Sequence, residues 1–262
     1  MSTDYALSYG THATPAEGRC AMEWVSHLAG ESHSDEPACV SPVIRAFCVA
    51  LNDGLEDASR QRLRPYLART IGTADDGLDE TRAWMAMDWL IRTYTPTWLS
   101  LADLCDAADG LLSLATVSDI EGLQAALQSL RFARQRARAA WGTRPAAWLS
   151  PGVGARAAAR ETAWAAAAAP AWAAARAGVG EIAGDRARAA VRCAAGDAAG
   201  IVTRTGRAGG SRAAARAALA PTIAELQRSA FTLLDRMLPT LPLPLPVAPD
   251  ASELGRLAAL PA

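Results

Sequence analysis

The chain contains no lysine: all 26 of its basic residues are arginine. That excludes a phosphate-loop lysine and any lysine Schiff base, and a GC-rich coding bias is its simplest source. No run of about eighteen strongly apolar residues occurs, so no transmembrane helix is expected. The opening MSTDYALSYGTH has neither a positive start nor an apolar core and does not read as a secretory signal. Alternating runs of Val, Ile, Thr or Tyr are missing, which argues against β-strands. Five cysteines, odd in number and irregularly spaced, suit reduced thiols in a cytoplasm better than a disulfide framework.

At 262 residues the chain is long enough to bury a full core. Hydrophobic residues reach 51%, but alanine inflates that figure and each alanine buries little area. A net charge of −1 hides a division. Residues 1–130 hold 8 Arg against 19 acids, a net of −11; residues 131–262 hold 18 Arg against 8 acids, a net of +10. Such asymmetry fits either a polyanion partner or two halves facing each other in the fold, and internal docking is the expectation.

Signals along the chain predict an all-α protein. Residues 1–15 read as a flexible polar arm, ahead of a helical domain over 16–141. A first helix spans 16–30, ending near Gly30. Ser41-Pro42 opens a second, VIRAFCVALND, apolar nearly all round with Arg45 and Asn52 as its polar side. A third spans 57–71, kinked or broken at Pro65, and a fourth 78–94. Thr95-Pro96 starts another, and a capping box at Ser118-Asp-Ile-Glu121, with Val117 as staple, begins a long helix over 119–141. Trp84, Trp89 and Trp98 are expected in the core. From 142 to 220 an alanine- and arginine-rich, low-complexity extension follows; 36 of the residues from 133 to 220 are alanine, and TRTGRAGGSR at 203–212 resembles a joint. Thr222-Ile-Ala-Glu225 caps an amphipathic docking helix over 221–238, carrying Ile223, Leu226, Ala230, Leu233, Leu234 and Met237. A Pro-rich tail, 239–262, is expected to be extended.

Chemistry concentrates in CAMEWVSHLAGESHSDEPACVSP, residues 20–42. At about 100° per residue, Cys20, Glu23 and His27 share one helix edge, and the following turn supplies His33, Asp35 and Cys39. These six are the catalytic candidates; Cys20, Glu23, His27, His33 and Cys39 are the metal-ligand candidates, with zinc as the metal their types would suit. Neither C-x-x-C nor H-E-x-x-H is present. A cysteine nucleophile with His27 or His33 as base is a further reading. The simpler reading is an inter-helix joint with no cofactor, in which Cys39 and Cys48 are core residues and Ser34 or Asp35 braces the turn into Ser41-Pro42. GxSxG is absent, and the glycine-rich GVGEIAG at 178–184 is lysine-free and follows no strand. RFARQRARAAWGTR, 131–144, is the nucleic-acid candidate, with Arg131, Arg138 and, less closely, Arg134 on one side.

The run RCAMEWVSHLAGESHSDEPACVSPVIRAFCVALNDGL, with the later MAMDWLIRTYTPTWLSLADL, resembles a family of bacterial and phage-borne proteins. These share a C-x-ME start, an AGE-x-x-SD-x-P-x-C-x-x-P centre and an Ala/Trp-rich C-terminal tail. The resemblance implies no activity. It singles out Cys20, Glu23, Gly30, Glu31, Ser34, Asp35, Pro37, Cys39 and Pro42. The expectation is a non-enzymatic, cytoplasmic helical interaction protein with a protein partner, phage- or mobile-element-derived. A metal-dependent or thiol enzyme and an arginine-mediated nucleic-acid binder are the alternatives.

Overall fold

A computed structural model describes residues 6–142 and 210–240, together with positions 159–160, 163 and 166–167 between them. It is all-α, with no strand among the described residues. The α-helices whose bounds are described follow in the order α1 (Ala21–Ala29), α2 (Pro42–Gly54), α3 (Asp57–Arg60), α4 (Arg64–Thr70), α5 (Asp79–Trp89), α6 (Thr95–Leu101), α7 (Cys105–Leu112), α8 (Ile120–Gly142) and α9 (Gly210–Met237).

Local chemistry explains most boundaries. Ser41 caps α2, its Oγ accepting the Ile44 N–H, with Pro42 at the first helical position. The helix predicted over 57–71 is divided by a 3₁₀ turn, Gln61–Leu63, so that Pro65 enters within the first turn of α4. Between α5 and α6 the backbone widens into a π-turn, Leu90–Tyr94, instead of breaking as the sequence suggests. Pro96 follows directly; a widened turn accommodates a residue that offers no N–H and crowds the carbonyl four positions back. At the start of α8 the cap is Asp119, whose Oδ1 accepts the Gly122 N–H at 2.8 Å, one residue later than the predicted Ser118 box. Buried Val117 still precedes it.

The core is mostly aliphatic, with aromatic pairs at its joints. Trp84, Trp89 and Trp98 are all buried, as expected. Phe47 of α2 meets Trp89 edge-on at 6.3 Å, and Tyr94 meets Trp98 in the same way. Ala159, Ala163, Ala166 and Ala167 are buried too, and the Thr95 hydroxyl donates to the Ala166 carbonyl at 3.1 Å. The remainder of the predicted 142–220 extension up to Gly209 lies outside the described residues, as does the tail beyond Thr240.

The docking helix is longer than its sequence signals indicate. It begins at Gly210 and passes through Pro221, bypassing the predicted cap at Thr222. Alanine propensity carries it through 213–220, and Pro221 lies on the exposed side. Positions 210–212, predicted as part of a joint, already belong to it. α9 packs on α2 and α5; its Leu219, Leu226, Ala230, Phe231, Leu233, Leu234 and Met237 are buried, and Phe231 meets Tyr66 of α4 at 5.6 Å.

Two arginines hold its C-terminal end. Arg82, 2% exposed, donates Nε–H to the Met237 carbonyl at 3.0 Å while its two terminal nitrogens grip both oxygens of Asp76. Arg69 donates to the Pro239 carbonyl and to Asp235 Oδ1. Cations at free helix carbonyls satisfy orphan acceptors and oppose the helix dipole. Among the described residues, arginines of the acidic half clamp the helix of the basic half. Arg136 of α8 also meets Asp106 of α7, at 3.0 Å, a contact of the expected sense.

Candidate functional site around Glu23

On the sequence pattern alone, the first helix turns a polar edge to solvent. In the structure residues 6–20, predicted as a polar arm up to residue 15, pack across that edge as a strap. Leu7 is buried, and its N–H and carbonyl both bond the Gln61 side chain at 2.9 Å. The Gly10 N–H reaches Asp53, and the Ser8 carbonyl accepts from Asn52. Asn52, predicted as the polar side of α2, is itself buried, and its Oδ1 accepts the Ala21 N–H that opens α1.

Glu23 is the centre of this arrangement, its side chain 2% exposed. Oε1 accepts the His12 N–H at 2.6 Å, and Oε2 accepts the Cys20 N–H at 2.7 Å and the His12 Nδ1–H at 2.8 Å. The Cys20 Sγ in return accepts the Glu23 N–H at 3.5 Å, closing a capping box with an unusual cysteine cap. His33 Nε2–H donates to the His12 carbonyl at 3.0 Å and lies 3.9 Å from Glu23 Oε1. Burial by itself would raise the Glu23 carboxyl; the His12 and Cys20 amides and the His12 imidazole outweigh it and hold the group below the usual glutamate range. Gly18 makes the close approach feasible. With φ at +144°, it is so near that an added Cβ would lie 2.5 Å from Ser8 Oγ and 2.8 Å from His12 Nε2.

Glu31 does the same for the next loop. It accepts the Ala38 N–H at 2.8 Å and the Cys39 N–H at 3.0 Å. Against the cost of burial, the Cys39 thiol and these two amides keep it ionised below the ordinary range. Ser34 braces the turn as predicted: its Oγ accepts the Glu36 N–H, and its carbonyl accepts the Ser26 hydroxyl. Asp35 lies half-buried in the same turn.

Of the six predicted catalytic residues, then, Cys20, Glu23 and His33 come together, while His27 and Cys39 do not join them. His27 is exposed and packs beside the Trp24 ring; Cys39 belongs to Glu31. His12 is the participant that sequence reasoning missed, and the arm's polarity gave no signal of it. Both thiols face the wrong way electrostatically for a nucleophile. Burial first, and then the charge of Glu23, push Cys20 up to about 12; burial and the Glu31 carboxylate push Cys39 up to about 12. Among the described residues no group of three or more His, Cys, Asp or Glu side chains is arranged to hold a metal ion. What the arrangement does is fasten: buried Glu23 and half-buried Glu31 each tie down a loop by accepting two backbone N–H groups.

The arginine helix presents a different chemistry. On α8, Arg131, Gln135 and Arg138 are exposed and Arg134 is half-buried, while Ala133 and Ala137 face the core. Phe132 stands among them at 44% exposure. Chain-wide comparison adds nothing to these observations: no family model, no curated protein and no solved structure matches the chain.

Proposed function

We propose that this protein is a non-enzymatic helical interaction protein that engages a protein partner through the outward face of α8. Phe132 carries the reading. Aromatic and arginine side chains together are the residue types enriched at protein interfaces and their energetic centres, and here a phenylalanine is left in solvent beside Arg131 and Gln135. The Glu23 cluster supports the same view, since its acceptors are taken up by the His12 and Cys20 amides and the His12 imidazole, and burial pushes the pKa of its one thiol, Cys20, upward. The four described cysteines are free, which fits a reducing cytoplasm.

A photo-crosslinking amino acid at position 132 tests this in the native cell, with position 27 as an exposed control. Discrete protein adducts at 132 that are absent at 27, and are lost when Arg131 and Arg138 are changed to Ala, are the expected result. Absence of any adduct, or an adduct to nucleic acid, defeats it. The second reading, nucleic-acid binding, draws on the same exposed Arg131 and Arg138 with Phe132 as a stacking ring. It predicts affinity for mixed-sequence DNA or RNA with a log–log salt slope of about −0.7 to −0.9 per phosphate contacted. Asp106, which holds Arg136, and the exposed Asp109 and Glu121 oppose it.

A further inference from the structure

Away from α8's outward face, a cleft of about 460 Å³ opens between α5, the loop before α8 and the last turn of α9. That volume falls within the range of small-molecule sites, roughly 300–1,000 Å³. Trp84, Met85, Trp89 and Val117 supply its apolar wall; Glu80, Asp88, Asp119 and Arg236 supply its charges.

These charged groups are not equivalent. Asp88 Oδ1 accepts the Val117 N–H at 2.8 Å and lies 3.2 Å from Arg92, whose guanidinium also donates to Thr116. Asp119 is spent on the Gly122 amide as the α8 cap. Glu80 and Arg236 are uncommitted among the described residues. Glu80 makes one contact, at the outer limit of a hydrogen bond, with Trp84 Nε1–H at 3.5 Å. Arg236, exposed at the end of α9, forms no ion pair among the described residues. A carboxylate and a guanidinium thus line one cleft with an indole wall between α5 and α9.

We infer that this cleft binds a small zwitterion of the α-amino-acid type. Glu80 would receive the ammonium, Arg236 the carboxylate, and the Trp84–Met85–Trp89 wall the side chain. Either charge alone would leave one of the two protein groups unanswered, and desolvating an unpaired charge opposes binding. Because Arg236 belongs to α9 and Glu80 to α5, the ligand would also bridge the docking helix to the body of the protein. This inference does not depend on the α8 partner.

The test is calorimetric titration of the full-length protein with each free L-amino acid at millimolar concentration in low-salt buffer. At least one should bind. N-acetylation of that amino acid, which removes the ammonium, and its methyl ester, which removes the carboxylate, should each weaken binding at least about tenfold. Glu80→Gln should weaken the parent amino acid by a similar factor and leave the N-acetyl form unaffected; Arg236→Gln should do so while sparing the ester. Both side chains are exposed, so circular dichroism should find both variants folded. Binding by none of the amino acids, equal binding of the blocked forms, or indifference to both substitutions overturns the inference.

Discussion

Replacing Glu23 with glutamine separates a fastening role from a merely polar one. The substitution keeps volume and one oxygen but exchanges the other for an NH₂ group. Oε2 currently takes two donors, the Cys20 amide at 2.7 Å and the His12 imidazole at 2.8 Å. If the new amide nitrogen takes that place, His12 can present its other tautomer and accept, but the Cys20 amide cannot. One buried N–H is then orphaned, at about 1–3 kcal/mol, and the charge assistance of the remaining bonds is lost. Together these give a loss of about 2–4 kcal/mol. Urea melts followed by far-UV circular dichroism at pH 7.5, on the full chain, measure it. The pH dependence supplies a second reading. Because the folded-state carboxyl titrates below its unfolded value, its contribution is fully present above about pH 4.3, the unfolded glutamate range. It is lost as pH falls through the lower folded-state value. The gap between wild type and Glu23→Gln should therefore narrow in acid and hold steady from pH 6 upward. A loss under about 0.5 kcal/mol at pH 7.5, with an unchanged gap in acid, would refute the role assigned to this carboxylate.

Three other perturbations probe other parts of the molecule. Phe47→Ala should cost roughly 3–5 kcal/mol in urea melts, since the ring is buried against Trp89; under about 1 kcal/mol would reject its place in the core. Arg82→Ala should cost about 2–4 kcal/mol by removing the donor to the Met237 carbonyl and leaving Asp76 with only the Leu78 amide. Hydrogen exchange should then show the last turn of α9 losing protection first; uniform loss along α9 would count against the clamp. Native-state alkylation at pH 7.5, read by peptide mapping, should label exposed Cys105 well before buried Cys20 and Cys48; equal rates would refute the protonated, shielded state of the latter two.

The helices were legible because their signals are local. Ser41-Pro42 is a cap followed by a residue pre-set for the first turn, and it performs that function wherever the helix lies. The face of α9 that is buried follows from the 3.6-residue period of its leucines. Even the departures are local competitions: Asp119 outdoes Ser118 as a cap by a carboxylate's stronger pull on the helix amides, and the alanines before Pro221 extend a helix that a proline would otherwise open.

Chain periodicity could place Cys20, Glu23 and His27 on one edge, but not say what would cover that edge. The strap decides it, through contacts such as Leu7 with Gln61 across more than fifty residues and His12 with Glu23 across eleven. A polar segment offers no period from which such a return can be read, so His12 was invisible and His27 stood as the better partner. The same holds for charge. Counting arginines and acids by halves predicts attraction between them, yet the clamp on α9 depends on which carbonyls a helix end leaves free and which guanidinium, Arg82 or Arg69, lies beside them. Local propensity and spacing are properties of neighbouring residues and survive in the linear chain; partners of buried polar groups come from distant segments, and packing alone brings them within hydrogen-bond reach.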